Sequence, residues 1–160
     1  MLRKLSAVLC LALALVSCGG SGNPGGPTDG SSGTNHGFSV TIDGLAFNPS
    51  SVGALRVAAN GTTAEELIVT AANATTTFAL IAVARVGVQR IAPGNTINAS
   101  MRIVGGGSSA SYVAFGPVGS GTVTVTSLKD SGVEGTLDLV LAHAAGGASK
   151  TVRGAFRLDF

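Results

Sequence analysis

The sequence predicts an all-β protein: a single antiparallel β-sandwich or flattened β-barrel of about eight to nine strands, carried after a signal peptide and a flexible linker. Three observations carry that prediction. Apolar residues from Phe38 onward recur with period two, not 3.6; turn residues punctuate the chain roughly every 8 to 12 residues; and no stretch shows an amphipathic helical repeat. The composition agrees. With 45% hydrophobic residues, 11% charged residues and 24 glycines in 160, the chain fits one domain plus terminal segments and is not intrinsically disordered.

Met1 to Lys4 form a short positive segment, and Leu5 to Val16 an apolar run broken only by Ser6 and Cys10. That run is the apolar core of a signal peptide spanning residues 1–17, too short for a transmembrane helix, which needs about 20 apolar residues. Its end, Leu15-Val16-Ser17-Cys18, resembles a bacterial lipobox. The resemblance implies cleavage before Cys18, diacylglycerol on its sulfur and acylation of the new amino group, so Cys18 is the expected lipid attachment site. An ordinary secretory signal with a chance cysteine is the alternative. Gly19 stands where an Asp would retain a lipoprotein in the inner membrane, so the resemblance implies the cell envelope and the outer membrane of a Gram-negative bacterium. Cys10 leaves with the signal, and the exported chain keeps neither a free thiol nor a disulfide.

Residues 18–37 read as the lipidated cysteine and its tether. From Gly19 to Gly37 the chain is Gly, Ser, Pro, Thr, Asn and Asp apart from His36, with no large apolar side chain to build a core. Such a coil spans roughly 24 Å, from about 5–6 Å per square root of residue number.

The β domain is expected over 38–160. Phe38, Val40 and Ile42 alternate with Ser39, Thr41 and Asp43; Asp43-Gly44 is a type I′ hairpin signal; Leu45 and Phe47 resume the alternation. Further strand-like runs are Ala54 to Ala59, Glu66 to Ala71, Thr77 to Arg85, Thr96 to Val104, Ser111 to Phe115, Thr122 to Lys129, Val133 to Leu141 and Thr151 to Phe160. Asn60-Gly61, Pro93-Gly94 and Asp130-Ser131-Gly132 separate them. The Ala-rich stretch from Ala54 to Ala84 has helical composition, but its Thr, Val and Ile content and its Asn-Gly favour strands. The last two runs are the clearest. A hairpin closed at Ala144-Ala145-Gly146-Gly147 sets Asp138 opposite Arg153 and Glu134 opposite Arg157, exposed pairs worth about 0–1 kcal/mol each. The six phenylalanines, Phe38, Phe47, Phe78, Phe115, Phe156 and Phe160, read as core.

These residues resemble those of small envelope lipoproteins known from Bacteroidota whose β domain has no assigned function. The similarity rests on Val40-Thr41-Ile42-Asp43-Gly44-Leu45-Ala46-Phe47, on 133–139 and on 152–158, and spreads over Phe38 to Phe160. Phe47 stands where the family often has Trp, and this chain is richer in Ala and Gly. The resemblance implies a lipid anchor and an antiparallel β fold, and supplies no catalytic residue.

Chemistry-bearing residues are scarce. There is no Trp, one Tyr and two His. Ten Lys and Arg face eight Asp and Glu, and loss of Arg3 and Lys4 with the signal leaves a neutral protein with no electrostatic case for nucleic acid. Gly105-Gly106-Gly107-Ser108-Ser109-Ala110 mimics a dinucleotide fingerprint but runs into the strand-like Ser111 to Phe115 instead of a helix, so it reads as a hairpin loop. A triad of His143 with Asp138 and a serine is an arrangement that only geometry decides. Asp130 and Glu134 flank a turn without the pattern of a calcium loop. Asn60-Gly61-Thr62, Asn73-Ala74-Thr75 and Asn98-Ala99-Ser100 match the glycosylation pattern but read as turn and strand residues.

The expectation is therefore a lipid-anchored, non-enzymatic envelope protein with no catalytic residues, cofactor or metal. Its β domain binds an envelope partner or serves an accessory structural role, with strand edges and loops as the contact surface. The alternative is a calycin-like carrier of a small apolar ligand, with Gly135 and Gly154 leaving space on inward faces.

Overall fold

The computed structural model describes residues 37–61 and 63–160. The expected signal peptide at 1–17, Cys18 and the tether as far as residue 36 lie outside the described residues. Gly37, assigned to the tether on composition, is the first residue of a strand.

The domain is all-β and every strand pair is antiparallel. Strands β1 (Gly37–Ile42) and β2 (Leu45–Phe47) form the opening hairpin. Its turn residues Asp43 and Gly44 both have positive φ, 51° and 80°, as a type I′ turn requires. Then come β3 (Ser51–Val57), β4 (Glu66–Ala72), β5 (Thr76–Val83), β6 (Gly87–Arg90), β7 (Asn98–Gly105), β8 (Ser108–Phe115), β9 (Ser120–Lys129), β10 (Gly132–His143) and β11 (Lys150–Asp159). The Ala-rich stretch is strand, as its β-branched content requires. The sequence reading counted fewer elements because it passed over β6 and took the first hairpin as one run.

One layer has the order β6-β9-β10-β11-β1-β2 and the other β8-β7-β5-β4-β3. The twelve-residue β10 belongs to both: residues 132–140 pair with β9, while Ala142 and His143 pair with Val113 and Tyr112 of β8. The sheet thus curls over on itself into a flattened half-barrel that leaves β2, β3 and β6 as edges.

Alternation along each strand fills the space between the layers. Leu67, Val69, Phe78, Leu80 and Met101 from one layer meet Val123, Val125, Leu137, Leu139, Leu141, Val152, Phe156 and Leu158 from the other. On β10 the intervening Thr136 and Asp138 face outward. The β10–β11 register places Asp138 opposite Arg153 and Glu134 opposite Arg157, as the charge pattern predicted, with N–O distances of 2.8 and 3.2 Å. Four phenylalanines join or flank the core; Phe115 and Phe160 do not, being 42% and 41% exposed. Phe115 falls on the outward phase of β8, whose Tyr112 and Ala114 point in, and Phe160 lies beyond the end of β11.

Candidate functional site

The four most exposed large apolar side chains lie on or beside the edge strands; Val104, Phe115, Val118 and Phe160 are less exposed and lie elsewhere. Leu45 on β2 is 76% exposed, Leu55 on β3 51%, and Val86 and Val88, just before and within β6, 60% each. The edge at β6 is the most elaborated.

β6 exists because the chain leaves β5 at Val83, tightens through Arg85 N–H to Val83 C=O at 2.8 Å, and reverses at Gly87, whose φ of 124° suits glycine. It then runs beside β9, with Val88 opposite Thr124 and Arg90 opposite Thr122. Gln89 points inward and is 2% exposed. Its carboxamide is fully used: Oε1 accepts from Val83 N–H at 2.9 Å, and Nε2 donates to the carbonyls of Val83 at 2.8 Å and Arg85 at 3.1 Å. A turn at Pro93-Gly94 brings the chain back, and Asn95 Nδ2 donates to Arg90 C=O at 2.8 Å.

Between the β6 edge, the end of β5 and the returning loop lies a shallow, half-open pocket of about 210 Å³, lined by Arg85, Val88, Gln89, Arg90, Asn95 and Thr96 among others. It is smaller than the roughly 300 Å³ at which sites begin to bury a drug-sized ligand. The charges around it are unbalanced. Elsewhere Arg56 meets Glu65 at 2.6 Å, Lys150 meets Asp43 at 2.6 Å, and Arg153 and Arg157 hold Asp138 and Glu134. Among the described residues Arg85 and Arg90, like Arg102 and Lys129, meet no carboxylate within 4 Å.

The residues singled out on sequence fall elsewhere. His143 and Asp138 are both on β10, five residues apart, and strand alternation sends them to opposite faces. Asp138 is held outside by Arg153, whereas His143 stacks edge-on with Tyr112 at 5.0 Å and accepts Ala145 N–H on Nδ1 at 3.2 Å. The two do not form a dyad. Gly106 and Gly107, with φ of 58° and 78°, close the β7–β8 hairpin, so the glycine run is a turn. Asp130 sits 3.6 Å from Arg56 and Glu134 pairs with Arg157; among the described residues no group of three or more His, Cys, Asp or Glu is placed to hold a metal. Asn73 builds the β4–β5 turn by accepting the N–H groups of Thr75 and Thr76, and Asn98 starts β7. Cys18 is outside the described residues.

Gly135 and Gly154 do not open space for a carried ligand. A Cβ on Gly135 would lie 2.5 Å from Phe156 Cζ and from Thr124 C=O, and one on Gly154 would lie 2.7 Å from Val40 Cα. Gly135 follows a register shift against β9 that leaves Thr126 as the extra residue, so it marks a bulge; Gly154 marks the close approach of β1.

Sequence reasoning missed Val88, Gln89, Arg90 and Asn95. The available signal was the short alternation Val86-Gly87-Val88-Gln89. Comparison of the chain with family models, curated proteins and solved structures gives no match.

Proposed function

We propose that this is an exported, lipid-anchored cell-envelope protein, tethered through Cys18 to the outer membrane, whose β domain acts by binding an envelope partner and not by catalysis. The observation that carries the binding reading is that the four most exposed large apolar side chains, Leu45, Leu55, Val86 and Val88, lie on or beside the open edge strands β2, β3 and β6. Unpaired edge strands are templates for another chain, and main-chain hydrogen bonds to them give affinity while flanking side chains give selectivity. The outer face of the β9–β10–β11 layer contrasts with this, since it carries Thr122, Thr124, Thr136 and paired charges. The lipobox-like Leu15 to Cys18 and the Gly/Ser/Pro run after it support the anchor. The resemblance to small Bacteroidota envelope lipoproteins belongs to the same proposal.

Photo-crosslinking in cells tests the reading. A photoreactive residue placed in turn at Leu45, Leu55, Val88 and the outward Thr136 is expected to give a discrete protein adduct from at least one edge position and none from Thr136. Absence of an adduct at all three edges, or an equal yield at Thr136, overturns it.

A further inference from the structure

We infer that the outer face of the β3-β4-β5-β7-β8 layer is a docking surface for a second copy of this chain, packed face to face about a two-fold axis that sets Glu66 of each copy against Arg102 of the other. The inference goes beyond the edge-binding reading above and does not depend on it.

Strand register assembles the face. Leu55 stands opposite Ile68, Ile68 opposite Ile81, Ile81 opposite Asn98 and Asn98 opposite Phe115, so these five make one row across all five strands. The row points outward, because the neighbours Leu67, Leu80, Ala99 and Ala114 are buried and side chains alternate along a strand. Neither Ile68 nor Ile81 belongs to the core between the layers. The rows on either side add Val57 and Val83, and Ala79 and Val113, in the same outward phase. A solvated outer face ordinarily alternates polar residues outward. The opposite layer does so with Thr122, Thr124, Thr136 and its paired charges, whereas this layer turns an apolar row to the outside.

Charge names the occupant. Among the outward positions of these five strands only Glu66 and Arg102 are charged. Glu66 lies in the row of Val57 and Val83, and Arg102 in the row of Thr77 and Ser111. Val83 and Thr77 are the two ends of the outward phase of β5, so the charged rows are about 20 Å apart, at opposite limits of the apolar area. Among the described residues neither Glu66 nor Arg102 forms an ion pair. Other charges on the molecule are unpaired too; these two differ in being one anion and one cation on a single face. Their midpoint falls on β5, between Ala79 and Ile81. A two-fold axis lying between two such faces at that point exchanges the charged positions, so the face is its own complement, as an isologous interface requires.

Area is sufficient. Five strands about 4.8 Å apart and four outward rows about 6.8 Å apart cover roughly 600 Å². Two such faces bury about 1,200 Å² together, the low end of the range for specific interfaces. A bilayer surface fits less well, since attraction to anionic lipid takes a cluster of Lys and Arg and this face has one Arg balanced by one Glu.

Photo-crosslinking of the full-length protein in cells tests the inference. Phe115→p-benzoylphenylalanine keeps an aromatic ring on the face, and a second copy of the same chain with a different epitope tag is expressed beside it. Irradiation is expected to give an adduct of twice the chain mass that carries both tags. Glu66→Arg or Arg102→Glu, made in both copies, opposes like charges across the interface and should lower the yield about tenfold or more. The two reversals together should restore the adduct, and that restoration also shows that the reversed chains fold. Absence of a two-tag adduct, an adduct with lipid or with another protein in its place, a yield indifferent to single reversal, or failure of the double reversal to restore it overturns the inference. Adducts with another protein from Leu45 or Val88 belong to the edge-binding reading, so the two readings fail separately.

Discussion

The side chain of Gln89 does for Val83 what a neighbouring strand would do. Val83 lies past the last β5–β7 pair, Ile81 with Asn98, so its outward N–H and C=O have no strand partner, and the Gln89 carboxamide binds both at 2.9 and 2.8 Å. This stitches the edge of one layer to the other across the candidate site. Gln89→Leu keeps much of the volume but leaves the part-buried Val83 N–H without a partner, while Val83 C=O keeps Arg85 N–H. At about 1–3 kcal/mol for an unsatisfied group, a loss of about 1–3 kcal/mol is expected in urea unfolding, with the midpoint lowered and the slope unchanged. A loss below about 0.5 kcal/mol would mean that water replaces the carboxamide.

Glycine positions give a second, sharper contrast. Gly154→Ala places a methyl against the β1 backbone at Val40, where only main-chain displacement makes room. Overpacking of this kind costs about 1–3 kcal/mol or more. Gly105→Ala has nothing within 4 Å of the new Cβ and no positive φ, and should change stability by less than about 0.5 kcal/mol. Thermal unfolding of the pair checks the prediction, which fails if the two variants melt together.

The Asp43–Lys150 tie predicts a pH window. Asp43 at the first hairpin turn accepts Lys150 Nζ at 2.6 Å and Thr151 N–H at 2.9 Å, and these bonds hold its carboxyl below the ordinary range, the lysine bond contributing most. The bond to Asp43 in turn holds the Lys150 ammonium above its ordinary range. A lowered carboxyl contributes stability that is present above the unfolded-state value of about 3.9 and is lost as pH falls through the lower folded value. A raised lysine contributes stability that is present below about 10.4 and is lost as pH rises through the higher folded value. Asp43→Asn should therefore destabilise the protein between about pH 4 and pH 10, with the difference shrinking as pH falls below about 4. Both side chains are about a third exposed, which keeps the effect near or below about 1 kcal/mol. Stability curves of the two proteins against pH test it.

The anchor is tested by Cys18→Ser. Without the sulfur, the expected products are uncleaved precursor or protein in the soluble fraction. Membrane retention of the cleaved variant would refute lipid attachment at Cys18.

Much of the fold was legible in the sequence, because period-two alternation needs only local residues. Val133, Leu137, Leu139 and Leu141 against Thr136 and Asp138 give the inward face of β10, and the opposed charges on 134, 138, 153 and 157 give its register with β11. The Asp43-Gly44 and Gly106-Gly107 turns were legible because glycine at positive φ relieves a steric cost that any other residue would incur. The candidate site was not legible. β6 is four residues long and its alternation is interrupted by Gly87, so it carries too little pattern to separate from a loop.

By itself, then, the sequence determined the fold class, the strand phases and the pairing of the last hairpin, all set by side chains close along the chain or directly across a turn. Only the tertiary structure decided that the sheet curls through β10, that His143 and Asp138 face apart, and that Gly135 and Gly154 are filled contacts and not space. It alone also decided which charges are paired, Arg56 with Glu65 and Lys150 with Asp43 among the described residues. Whether a charge is paired depends on where the acids of distant strands come to rest, and that information exists only once the layers have closed on each other.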